Sequence, residues 1–148
     1  MSVGALLLAA GGLTACSSSS DGQASASTLQ EGDCVLFTSG DDGDTAAETV
    51  ACQDPHFGEV VLSSDAFFDG DDSLPDDARM TALADTACAD ALLSYSGLAP
   101  VGDGVRMSYF YPTEETWAEG DRGLTCLAVS VDEETTELRE TSESIAAS

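Results

Sequence analysis

His56 is the single histidine of this 148-residue chain and lies in "CQDPHFGEV". An imidazole titrates near neutral pH and can carry a proton or bind a metal, but either role needs partner groups within reach. With one histidine, neither H-E-x-x-H nor any two-histidine metal set can form, and no glycine-rich phosphate loop or G-x-S-x-G turn is present. His56 is therefore expected at the surface, in a turn after Pro55. The stretch "WAEGDRG" places Trp117, Gly120, Asp121 and Arg122 close together. An aromatic face beside a cation suits recognition of a peptide or glycan. The same residues also suit a structural turn, with Trp117 over the core and Arg122 paired to a carboxylate. The acidic clusters "DDGD" (41–44) and "DGDD" (69–72) miss the D-x-[DN]-x-[DN]-G-x5-E calcium pattern and are expected to be solvated loops. No catalytic residue, metal ligand set or cofactor site is expected.

Thiols are the other reactive groups. Cys16 ends the uncharged run "MSVGALLLAAGGLTAC" and is followed at once by a serine run. The apolar part is shorter than the ~20 residues that span a bilayer and fits the core of a secretory signal. "LTAC" resembles the lipobox of bacterial lipoproteins, in which the thiol receives diacylglycerol and a peptidase cuts before the cysteine. The run departs from that pattern in carrying no basic residue after Met1. The resemblance implies a signal peptide over 1–15 and a membrane anchor at Cys16. Residues 16–30 then read as the lipidated cysteine and a Ser/Gly/Ala/Gln linker with coil-like composition.

Charge limits the partners. There are 28 Asp+Glu against 4 Lys+Arg, a formal net charge of -24, and all four bases are arginine. Such a chain is repelled by phosphate backbones and by anionic headgroups, which argues against nucleic acid. The acidity serves solubility in the first instance.

The elements that must position these groups follow from periodicity. "CVLFT" (34–38), "ETVACQ" (48–53), "GEVVLSSDAFF" (58–68), "VRMSYFYPT" (105–113) and "LTCLAVSV" (124–131) read as strands. "DSLPDDARMTALADTACADALLSY" reads as the one long helix, with Ser73 as cap, Pro75 in the first turn, and Gly97 as stop. Ala84, Cys88, Ala91, Leu92 and Tyr95 share one of its faces. "EETWAEG" reads as a helical turn or a loop, and the acidic tail 132–148 as disordered. The fold class is α+β: a small antiparallel sheet of about five strands packed against one long helix.

Setting Cys16 aside, Cys34, Cys52, Cys88 and Cys126 remain, an even set in an exported chain. Four cysteines allow three pairings. Placement at neighbouring strand ends favours Cys34 with Cys52, and a helix-to-sheet tie favours Cys88 with Cys126.

"GDC" (32–34), "VACQDPHFGEV" (50–60), the helix with Cys88, and "WAEGDRGLTC" (117–126) together resemble the septum-formation domain of bacterial envelope proteins, over residues 31–131. The resemblance carries the motif onto Gly32, Asp33, Cys34, Cys52, Pro55, His56, Glu59, Val60, Cys88, Trp117, Gly120, Asp121, Arg122 and Cys126. It implies a membrane-attached, extracytoplasmic scaffold without established catalysis. The expected function is a lipid-anchored binding or assembly factor whose partner is another envelope protein or a wall component. The competing expectations are an envelope hydrolase or transferase using His56 and an acidic cation-binding lipoprotein. His56, Trp117 and Arg122 are expected to share one binding patch, and His56→Ala and Arg122→Ala to leave folding largely intact while weakening partner capture or septal placement.

Overall fold

The computed structural model describes residues 29–39, 45–99, 104–132 and 137–146. Cys16, the run before it, the linker up to residue 28 and the 41–44 cluster lie outside the described residues.

Five strands form one antiparallel sheet: β1 (Cys34–Ser39), β2 (Thr45–Val50), β3 (Gly58–Ser64), β4 (Val105–Phe110) and β5 (Leu124–Ser130), in the order β2-β1-β3-β5-β4. The interior position of β5, between β3 and β4, agrees with its largely apolar run, buried at every residue, because a strand covered on both faces has no polar side to alternate. Two helices accompany the sheet, α1 (Asp77–Ser96) and the short α2 (Glu114–Ala118). This is the expected α+β class, and the expected helical turn after β4 is α2.

The α1 helix begins later than the sequence suggests. Its cap is Asp76, whose carboxylate accepts from the Arg79 backbone N–H at 3.0 Å, and not Ser73. Pro75 explains the difference: proline drives the preceding Leu74 out of helical dihedrals, so no helix can run through that position. Gly97, at φ 72°, closes the other end by donating to the Leu93 carbonyl at 3.0 Å. The buried stripe Met80, Ala84, Cys88 and Leu92 recurs every fourth residue. It packs on Val61, Val105, Leu124, Cys126 and Ala128 to make the main core.

A second core lies on the other side of the sheet. The β1 and β3 strands pair only at Cys34↔Glu59 and Val35↔Gly58, whereas β1 and β2 pair along their whole length. The β1–β2 hairpin therefore joins the rest of the sheet through two residue pairs, and its Val35 and Ala47 pack with Leu29, Val60, Leu127 and Val129. A register shift between Val60 and Leu62 lets adjacent Val61 and Leu62 both face the main core, while Val60 faces the second.

Both expected disulfides are present. Cys34–Cys52 spans 18 residues with Cα atoms 5.2 Å apart, and Cys88–Cys126 spans 38 with Cα atoms 5.4 Å apart. The first pins the chain after β2 to the start of β1, and the second ties α1 to β5. Loop-closure entropy alone assigns them about 3 and about 4 kcal/mol.

The expectation of a structureless tail does not hold for residues 137–146. Arg139 N–H donates to the Ser130 carbonyl, and Thr141 and His56 exchange backbone hydrogen bonds at 2.9 Å in each direction. The physical reason is a buried carboxylate, Glu59, whose donors come in part from this segment.

Candidate functional site

The motif residues divide between the two ends of the sheet. At the start of β3, Glu59 is 2% exposed in an otherwise apolar strand. A carboxylate there must be satisfied internally. Its Oε1 accepts from the Tyr95 hydroxyl at the end of α1 and from the Ser144 hydroxyl at 2.8 Å, while Oε2 accepts from the Ile145 N–H at 2.9 Å. Helix, sheet and tail thus meet on one side chain. Partial burial, then the hydrogen bond to Glu59 and its negative charge, push the Tyr95 hydroxyl up to about 12.

His56 belongs to this end and is 1% exposed, which corrects the expected surface position. Its Nδ1 lies 2.9 Å from the Asp54 carbonyl, so that nitrogen carries the proton if it is to bond there. The turn closes before Pro55, where the Asp54 N–H donates to the Ala51 carbonyl, and His56 itself pairs with Thr141 in a bridge. Cys34, Cys52 and Glu59 come within 4.8 Å of one another. Both sulfurs belong to the disulfide, so this cluster offers a metal a single carboxylate.

At the far end of β3, the chain around Trp117 and Arg122 forms a tight turn. The Arg122 guanidinium lies 3.5 Å from the centroid of the Trp117 ring. It also donates to the Trp117 carbonyl at 2.9 Å and the Asp121 carbonyl at 2.7 Å. Among the described residues no ion pair involves Arg122, so ring and carbonyls take the place of the expected carboxylate. Trp117 packs partly on the main core and meets Phe68 edge-on, with centroids 6.5 Å apart. Gly120 takes φ 101°, a conformation side-chain-bearing residues rarely adopt. At Gly123 a Cβ would sit 3.2 Å from both the Asp121 carboxylate and the Ser64 carbonyl, so a larger residue there would have to push one of them back by a few tenths of an ångström.

The structure therefore brings Trp117 and Arg122 together but sets His56 apart from them. His56 precedes β3, whereas Phe68, the Trp117 contact, follows it. A strand of seven residues separates them by about 20 Å at ~3.3 Å per residue. The expected three-residue patch does not form.

Beside the turn is a cleft of about 700 Å³, lined by Phe110, Tyr111, Thr116, Glu119, Asp121 and neighbours from the ends of β3 and β5. Sequence reasoning did not single out Tyr111, Glu119 or the β3-end residue Asp65. It also missed the Glu59–Tyr95–Ser144 cluster. One signal for the cluster was available: a lone acid, Glu59, at a buried position of an apolar strand implies dedicated donors.

The family model described as septum formation matches residues 10–148, extending past the 31–131 span of the motifs at both ends. The match includes the tail segment that satisfies Glu59. No curated protein and no solved structure matches the chain. The chain belongs to the septum-formation family.

Proposed function

We propose that this protein is a lipid-anchored, extracytoplasmic envelope factor that binds a partner during septum formation and does no chemistry of its own. The observation carrying the non-catalytic reading is the use made of its titratable motif residues. The Glu59 carboxylate accepts three hydrogen bonds from within the chain, and His56 is buried with Nδ1 on a carbonyl. General acid–base catalysis needs such groups open to substrate. Here they hold helix, sheet and tail together, as a scaffold requires. Two disulfides in a domain of this size favour an oxidising compartment, and the lipobox-like "LTAC" supplies the attachment at Cys16.

A fluorescent fusion, followed through division and coupled to crosslinking in intact cells, tests this reading. Enrichment at the septum with a discrete crosslinked envelope partner is the expected result. Uniform distribution in dividing cells, or turnover of a wall fragment by purified protein, would overturn it.

A further inference from the structure

Two clefts open at the Trp117 end of the molecule, of about 700 and about 660 Å³, and Tyr111 lines both. Asp65, Glu119 and Asp121 line the first cleft with Tyr111, and Asp76, Asp77 and Glu114 line the second with it. No arginine lines either cleft. The two arginines nearest in sequence are engaged elsewhere, Arg79 with Asp71 at 2.9 Å and Arg122 with the Trp117 ring. Apolar wall residues lie among the acids: Phe110 at the end of β4, Tyr111 and Pro112 after it, and Leu74 and Met80 on either side of the start of α1. Aliphatic stems of lysine or arginine can lie on such walls while their charged heads reach carboxylates and aromatic faces.

We propose that this paired cleft docks a basic peptide segment of a partner, with Tyr111 as its central contact. The proposal rests on the binding reading above and names the chemistry of the ligand. Charge complementarity selects the occupant, since a second copy of this chain, at net charge -24, would be repelled. Each cleft sets three acids beside the shared Tyr111, so neighbouring basic side chains of one peptide can enter the two clefts. Asp76 and Asp121 also have local duties, accepting from the Arg79 and Gly123 backbone N–H groups. That fixes those carboxylates before a ligand arrives, which lowers the ordering cost of binding.

Trp117 is the only tryptophan and sits in α2 next to cleft residues Thr116 and Glu119, so its fluorescence reports occupancy. Octalysine titrated into the intact protein at low salt should change that emission saturably. The isosteric set Asp65→Asn, Glu119→Gln and Asp121→Asn should weaken binding about tenfold, from three partly exposed charge pairs. Asn at 121 keeps the acceptor for Gly123. A second set in the other cleft, Asp77→Asn with Glu114→Gln, should weaken it about threefold or more. A distant set of equal charge, Glu48→Gln, Asp90→Asn and Glu140→Gln, should change it less than about twofold. Equal losses in the cleft and distant sets would mean diffuse attraction and overturn the proposal, as would no response to octalysine. A fusion that reaches the septum while purified protein ignores octalysine sinks the groove alone. A fusion that never reaches the septum sinks the envelope reading, whatever the titration gives.

Discussion

Glu59 concentrates more consequence than any other side chain, because its removal strands donors from three segments. Glu59→Gln keeps the volume but turns one acceptor into a donor, facing the Ile145 N–H or the paired hydroxyls. We expect a loss of about 2 kcal/mol in urea unfolding, the usual cost of leaving a buried polar group unpaired. An unchanged midpoint would mean that the tail does not hold Glu59 in solution. Its partner Tyr95 makes a pH prediction. An unfolded tyrosine gives up its proton near 10.0, whereas folded Tyr95 holds it to about 12. Between those values only the unfolded state releases a proton, so stability is intact below pH 10 and declines towards pH 12. The ring is only part-buried, so solvent screening keeps the loss well under the ceiling of ~1.4 kcal/mol per pH unit. Tyr109 is also raised, by burial and by Asp85, so the contribution of Tyr95 is isolated by comparing wild type with Tyr95→Phe. The variant should show a shallower fall in stability over this window. His56 falls into the same class of residue: at 1% exposure, His56→Ala is a folding mutation and not the binding mutation that the sequence suggested. The residue type alone could not reveal this, because the strand that covers it arrives from Thr141, far along the chain.

The tail segment 137–146 behaves as an edge piece of the sheet end, and it is the element least legible in the sequence. Its composition is that of a solvated coil, and only two residues, Ser144 and Ile145, reach the Glu59 carboxylate. A chain ended at residue 136 would lose those donors and the backbone bonds to His56 and Ser130. We expect it to be destabilised by about 2–4 kcal/mol and to expose His56 and Glu59 to solvent, read as faster amide exchange at the start of β3. Unaltered exchange there would show that the segment is dispensable. The strands, the long helix and both disulfides were legible, for a local reason. Apolar runs such as "LTCLAVSV" and the four-residue spacing of Ala84, Cys88 and Leu92 carry their burial on their faces. Capping tendency alone puts the start of α1 at Ser73, whereas Pro75 keeps Leu74 out of the helix and moves the cap to Asp76. The short junction of the β1–β2 hairpin with β3 was not legible, because the length of a pairing depends on its partner strand. The Trp117–Arg122 contact was half legible: the sequence put an aromatic and a cation five residues apart, but only the fold aims the guanidinium at the ring.

At the scale of the whole molecule, the net charge of -24 and the proposed anchor act against each other. Anionic headgroups repel a domain of this charge, and none of the described helices is long and apolar enough to cross a membrane. The expected linker stops short of residue 30, since Leu29 is buried in the second core and the Gln30 N–H donates to the Asp33 carboxylate. A lipid on Cys16 is the attachment we propose for the domain. Cys16→Ala should therefore move the protein from the membrane fraction to the soluble fraction or medium, or leave it as uncut precursor. The disulfide-bonded domain itself should melt at the same temperature as wild type, since its two disulfides and two cores are built from residue 29 onward. Mass spectrometry of the mature amino terminus decides the chemistry, with a diacylglyceryl thioether on Cys16 expected in wild type. An unmodified Cys16 still preceded by Ala15 would remove the anchor from the proposal. Full membrane retention of the Cys16→Ala protein after cleavage would mean that the acidic domain itself finds a cationic partner at the surface, which the octalysine-binding clefts would then have to explain.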